Sequence, residues 1–156
     1  MTSYILAIDG GGTKTVGVLY DFDGREIKRS LSGFANFSVN AEKTINHLYT
    51  VMDDLYCEGI AYIQIGIAGY TNYKNKDQFI KDIKTRYTCP VSIATDAEIA
   101  FYALKKDDNH PLVLVLAGTG SVLMYQGRDH IKMIGGFGHI LGDEGSAYHL
   151  AISALK

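Results

Sequence analysis

Two prolines, two cysteines and a net charge of only −2 are among the things this 156-residue chain has least of. Each shortage excludes something. The near-neutral charge leaves no electrostatic reason to expect a nucleic acid or an anionic membrane as partner. The longest unbroken apolar run, 111–118, is about eight residues, far short of a membrane span. The amino terminus enters a strand-like run at Tyr4 without a basic and then apolar leader, so no signal peptide is expected. Cys57 and Cys89 stand alone, with no CxxC pairing. They read as reduced thiols of a cytoplasmic protein rather than a disulfide framework. What remains is an ordinary globular composition: 47% hydrophobic, 21% charged, 17 glycines.

Periodicity predicts the elements. Tyr4–Ile8 is a short apolar strand that runs into three glycines, Thr15–Tyr20 a second strand, and Glu26–Gly33 a third beyond the Asp23-Gly24 turn signal. A helix follows, capped by Ser38 or Asn40, with Ile45, Leu48, Met52, Leu55 and Tyr56 recurring at helical spacing. Ile60–Ala68 reads as a buried strand, Asp77–Tyr87 as a helix, Val91–Thr95 as a strand and Asp96–Leu104 as a helix. The order βββαβαβα implies a mixed sheet with helices on its faces. The polar segment 105–110 breaks the pattern, and a first domain over 1–108 and a second over 109–156 are expected.

After that break the opening recurs. Leu112–Leu116 is a strand, 117–121 a Gly/Thr turn, Val122–Tyr125 a second strand, Gly127 a hairpin and His130–Ile134 a third strand. Glu144–Leu155 is expected as a helix. Two copies of strand, glycine turn, strand, hairpin, strand lie about 110 residues apart. The second copy is too short to bury a core of its own. Its open edges and apolar faces lead to the expectation of a homodimer.

The glycine turns carry the chemistry. In Ile8-Asp9-Gly10-Gly11-Gly12-Thr13-Lys14-Thr15 the glycines let backbone N–H groups approach a ligand. Such a turn is an anion cradle. Thr13 and Thr15 add hydroxyls and Lys14 a cation. Asp9, at the strand end, is placed to hold Mg²⁺ through water. No helix follows, so this is not a dinucleotide fingerprint, and the spacing is not that of a Walker A loop. The second turn, Ala117-Gly118-Thr119-Gly120-Ser121, repeats the pattern. Two such turns in duplicated units suit one polyphosphate held from both sides.

Asp96 ends a strand and begins a helix, the place of an N-cap. It is equally the place for a general base that takes a proton from a substrate hydroxyl attacking a γ-phosphate. Asn36 lies in the loop Gly33–Ser38, as a turn former or as a ligand for vicinal hydroxyls. The block Gly135-Gly136-Phe137-Gly138-His139, with Gly142-Asp143-Glu144-Gly145-Ser146, brings backbone close to something. Asp143 and Glu144 are expected in the first turn of the last helix, favouring its dipole or reaching for sugar hydroxyls. His139 and His149 with these acids match no standard zinc spacing. His47, inside the first amphipathic helix, reads as structural.

On 9–15, Thr95-Asp96-Ala97, 117–121 and the 135–146 block, the chain resembles the N-acetylglucosamine kinases and related BadF/BadG-type activator ATPases. These belong to the actin/hexokinase/heat-shock-chaperone superfamily, and the resemblance spans nearly the whole chain. It implies an α/β fold: a ribonuclease-H-like, actin-like ATPase lobe, followed by the first three strands and a helix of a similar one. It implies ATP and a sugar in the cleft between the lobes. It implies an ATP-dependent kinase, with Gly11, Gly12, Thr13, Lys14, Gly118, Thr119 and Gly120 on the nucleotide phosphates and Asp9 on Mg²⁺. Asp96 then acts as catalytic base on a sugar 6-hydroxyl, and Asn36, Ser121, Gly136, Phe137, Gly138 and Asp143 fall where the family contacts its sugar. The family carries asparagine at Val122 and tryptophan at Phe137, so the implied substrate widens to another amino sugar or hexose derivative. The activator branch, an ATPase that couples to a partner protein, remains the alternative, although Cys57 and Cys89 do not resemble its iron–sulfur ligands. The family's adenosine motif lies later than Lys156.

Overall fold

The computed structural model describes residues 3–105, 110–126 and 131–156. Two compact units divide the chain, Met1–Ile99 and Ala100–Lys156.

The first unit holds β1 (Tyr4–Gly10), β2 (Thr15–Asp21), β3 (Glu26–Ser32), α1 (Ala41–Leu55), β4 (Ile60–Ile67), α2 (Lys76–Arg86), β5 (Val91–Ala94) and the start of α3 (Asp96–Leu104). A single 3₁₀ turn, Tyr70–Asn72, lies between β4 and α2. The five strands form one sheet in the order β3-β2-β1-β4-β5. The hairpin-connected strands pair antiparallel, while β1–β4 and β4–β5, reached through helical crossovers, pair parallel. This is the mixed sheet that the meander followed by alternation predicts.

Alternation on the strands and 3.6-periodicity on the helix produce the core. Leu6 and Ile8 of β1 and Ile63, Ile65 and Ile67 of β4 are buried together with Leu48, Val51, Met52 and Leu55 of α1. Each such side chain contributes roughly 1.5–3 kcal/mol on burial. Gly17 of β2 is where α1 comes closest, since a Cβ there would lie 2.2 Å from Val51 Cγ1. Asn40 caps α1 by accepting the Lys43 N–H, which settles the Ser38-or-Asn40 alternative.

The second unit holds the rest of α3, then β6 (Val113–Ala117), β7 (Ser121–Gln126), β8 (Ile131–Gly135) and α4 (Ala147–Leu155). The three strands form an antiparallel meander, β6-β7-β8. Its core is thin: Leu114 and Met124 are its buried apolar side chains among the described residues of the sheet, and none of α4 is buried. The hairpin expected at Gly127 and the His130 end of the third strand lie outside the described residues, as does most of the 105–110 break.

Candidate active site

In the first unit the β1–β2 hairpin presents Gly11 to Lys14 at the sheet edge. The Gly11 amide donates to the Lys14 carbonyl at 3.0 Å and closes the turn. Gly12, Thr13 and Lys14 are exposed, and their amides donate to no acceptor among the described residues. Unengaged N–H groups in an exposed turn beside a lysine are what an anion cradle offers. Thr15 faces inward, is fully buried and donates its hydroxyl to the Gly33 carbonyl at 2.7 Å, so it supports the turn rather than presenting to solvent.

Three backbone bonds link the Asn36 loop, the end of β4 and this turn. The Ala35 amide donates to Gly11, the Ala68 amide to Gly10 and the Phe37 amide to Ala68, at 2.9, 2.9 and 3.0 Å. Phe37 is buried and stacks on Tyr73, with ring centroids 4.0 Å apart. His47 takes the structural part expected of it, with Nδ1 2.7 Å from the Phe34 carbonyl. Asn36 Oδ1 accepts the Ser38 N–H at 2.9 Å, a turn-forming bond, and the Asn36 amide donates to Thr44 Oγ1. Its Nδ2 has no acceptor among the described residues.

Asp9 and Asp96 come together through a glycine. Asp9 of β1 is the register partner of Gly66 on β4. A Cβ on Gly66 would lie 2.9 Å from Ile99 Cγ1 and 3.7 Å from the Asp96 Cα, so only glycine lets the start of α3 pack there. Both acids therefore sit at the carboxyl edge of the parallel strands, where α/β sheets place their ligands. Burial pushes the Asp96 carboxyl above the usual aspartate range, and the neighbouring Asp9 charge adds to the push, against the Ala97 N–H that Oδ1 accepts at 2.9 Å. Asp96 keeps a solvent-open side, which moderates the shift.

The helix cap expected of Asp96 is made by Thr95 instead. The Thr95 amide and hydroxyl both donate to Glu98 Oε2, at 2.8 and 2.9 Å, and the Glu98 amide returns a bond to Thr95 Oγ1 at 3.1 Å. This is a capping box. Its signature, Thr-x-x-Glu, stands at 95–98 of the sequence and was the signal that could have located it.

In the second unit the Gly118 amide donates to the Gly120 carbonyl at 2.9 Å, closing the turn between β6 and β7, with Gly118 and Thr119 exposed. The 142–147 segment grips this turn. The Ser121 amide donates to Asp143 Oδ1 at 3.1 Å, the Ser121 hydroxyl to the Glu144 carbonyl at 2.8 Å, and the Ala147 amide to the Gly118 carbonyl at 2.9 Å. The expected helix over 144–155 begins at Ala147, capped by Ser146, which accepts the His149 N–H. Asp143 and Glu144 consequently precede the first turn and do not serve its dipole. Asp143 instead takes a left-handed backbone, φ 64°, which bends the chain toward the turn. Gly136 and Gly138 also have positive φ, and Phe137 between them is 72% exposed. His139 packs on the Tyr148 ring, and His149 Nδ1 accepts the Gly145 N–H. Among the described residues no three His, Cys, Asp or Glu side chains cluster.

The description BadF/BadG/BcrA/BcrD ATPase family matches residues 6–156. The chain belongs to this family. It is 29% identical to the N-acetylmuramic acid/N-acetylglucosamine kinase of Clostridium acetobutylicum, over 98% of this chain and 52% of that protein. To the N-acetyl-D-glucosamine kinase of Dictyostelium discoideum it is 31% identical, over 97% and 52%. The chain thus spans about half the length of the curated relatives it matches. Among solved structures, the inorganic polyphosphate/ATP-glucomannokinase of Arthrobacter sp. strain KM aligns with a TM-score of 0.66 at 15% identity, covering 97% of this chain and 72% of that one. At that identity the likeness speaks for the fold. No helix among the described residues is long and apolar enough to cross a membrane.

Proposed function

We propose that this chain is part of an ATP-dependent sugar kinase that transfers the γ-phosphoryl group to a hydroxyl, the 6-hydroxyl, of an N-acetylated amino sugar or related hexose. The observation that carries the reading is the Asp9–Asp96 pair. Two carboxylates share one sheet edge, one of them held above its usual range, beside a turn of free amides. Thr95 rather than Asp96 caps the helix, Asp96 serving its end only through the Ala97 N–H, and an elevated carboxyl suits a base that works near neutral pH. The kinase relatives supply the substrate class.

In this reading Asp96 takes the proton from the sugar hydroxyl. Gly11, Gly12, Thr13 and Lys14 hold phosphate oxygens, and so do Gly118, Thr119 and Gly120. Asn36 offers its unengaged Nδ2 to a sugar hydroxyl, and Ser121, Gly136, Phe137 and Gly138 line the remaining sugar contacts. Mg²⁺ fits the donor set, because Asp9 presents an exposed hard-oxygen carboxylate and the pair concentrates negative charge. Bound there, the ion would neutralise charge on the transferring phosphoryl oxygens. The protein works as a dimer in the cytoplasm, its two units being lobes of one ATPase.

A coupled ADP-release assay across a panel of amino sugars and hexoses tests this. Turnover confined to one or a few sugars is expected. ATP hydrolysis indifferent to every sugar, with a co-purifying protein partner, would favour the activator-type ATPase instead.

A further inference from the structure

Asn36 has every polar group engaged but one. Its amide donates to Thr44 Oγ1 at 2.9 Å, and its carbonyl accepts the Val39 and Asn40 amides at 3.1 and 3.2 Å. Its Oδ1 accepts the Ser38 N–H at 2.9 Å, which leaves Nδ2 as the one group without a partner among the described residues. Thr44, near the start of α1, is fully buried. A β-branched residue is a poor helix former, and a buried hydroxyl costs stability unless it is bonded. The bond to the Asn36 amide offsets both. Gly69, after β4, packs on the same side chain. Its φ is 72°, and a Cβ there would lie 2.6 Å from Asn36 Oδ1 and 2.5 Å from Ser38 Oγ. Glycine is required at this position for its backbone and for its lack of bulk.

We propose that Thr44 and Gly69 are positioning residues for the sugar: they hold Asn36 so that its Nδ2 meets a sugar hydroxyl oxygen without rearrangement of the loop. Both act through Asn36 rather than on the sugar. The inference rests on the reading of Asn36 as a sugar ligand. Its physical basis is preorganisation. A side chain already fixed by its neighbours loses little further freedom when a ligand arrives, so more of the hydrogen bond appears as affinity. The Thr44 bond needs an acceptor oxygen at Oγ1, so a serine can replace it and a valine of the same shape cannot. The part played by Gly69 is steric, and any side chain there pushes on the Asn36 amide.

ADP-release kinetics, with sugar and ATP varied separately, test this on whichever of N-acetylglucosamine, N-acetylmannosamine, N-acetylmuramic acid, glucosamine and glucose the wild type turns over. Thr44→Val is expected to raise the sugar KM about tenfold, the scale of one hydrogen bond. The kcat and the ATP KM should stay within about twofold of wild type, the pattern of lost ground-state binding. Thr44→Ser should restore the sugar KM. Gly69→Ala should raise the sugar KM as Thr44→Val does. In an Asn36→Ala background, Thr44→Val should change the sugar KM no further, because no side chain is left to aim. A general loss of fold would instead move the ATP KM and kcat as well, and would add to Asn36→Ala. A sugar KM unchanged in both Thr44→Val and Gly69→Ala would overturn the inference while leaving the kinase reading intact. So would equal rises in sugar and ATP KM, or a Thr44→Val effect that adds in full to Asn36→Ala. If the wild type turns over none of the sugars, the kinase reading fails and takes this inference with it.

Discussion

Thr95 and Glu98 exchange three hydrogen bonds at the start of α3, which makes Thr95 rather than Asp96 the residue that caps the helix. The box sets the direction in which Asp96 leaves the sheet. Glu98→Ala is expected to remove two of the three bonds and cost about 0.5–2 kcal/mol. Thr95→Ser should cost less, because it keeps the hydroxyl. Chemical denaturation of the two variants beside the wild type measures the difference.

Burial raises the Asp96 carboxyl, so the fold favours its neutral form. The contribution of that neutral form is fully present below the unfolded value of about 4 and is lost as pH rises through the elevated folded value. At neutral pH the ionised group is therefore a cost. Asp96→Asn should raise the melting temperature at pH 7, and the gain should shrink as the pH is lowered toward 4. A melting series against pH checks the sign; the size stays small because the group has a solvent-open side.

Activity should follow the opposite limb. A base must be ionised, so turnover should fall as pH drops through the same elevated carboxyl value. The acid limb of kcat/KM is expected above the range of an ordinary aspartate, and it should not follow the sugar used.

Gly17 is a packing requirement. Its missing side chain admits Val51 of α1 against β2, where a Cβ would approach to 2.2 Å. Gly17→Ala is expected to destabilise the first unit by about 1–3 kcal/mol through overpacking. Thermal unfolding followed by circular dichroism reads this directly.

The architecture of the first unit was legible because its signals were local and strong. Leu48, Met52 and Leu55 repeat at helical spacing, and Ile63, Ile65 and Ile67 alternate, so burial followed from pattern. The glycine turns were legible from composition alone. Two things were not. An aspartate before a helix masks the less conspicuous Thr-x-x-Glu box that encloses it, so the cap at Thr95 is hidden. Glu144, a good first-turn residue, points to a helix start three residues before the observed Ala147. Its backbone carbonyl is instead taken by Ser121, and Asp143 turns left-handed to reach the same loop. Contacts over 22 and 23 residues of sequence decide that segment, and no local pattern encodes them.

The second unit leaves apolar surface uncovered. Val113 and Val115 on β6 are 61% and 64% exposed, and Leu150 and Leu155 of α4 are 62% and 83% exposed. Exposed apolar surface, where contiguous, marks an interaction site. Self-association is the expected result, with sedimentation giving a dimer whose fraction rises with concentration. A monomer at all concentrations that melts sharply would contradict it.

The account turns on Asp96 as the base of a phosphoryl transfer. Its most direct measurement is ADP release with the best sugar of the panel, wild type against Asp96→Asn, with binding of sugar and nucleotide followed in parallel. The expected result is a fall in kcat of about 10²–10⁴-fold with both ligands still bound. Activity left intact in Asp96→Asn would contradict the account.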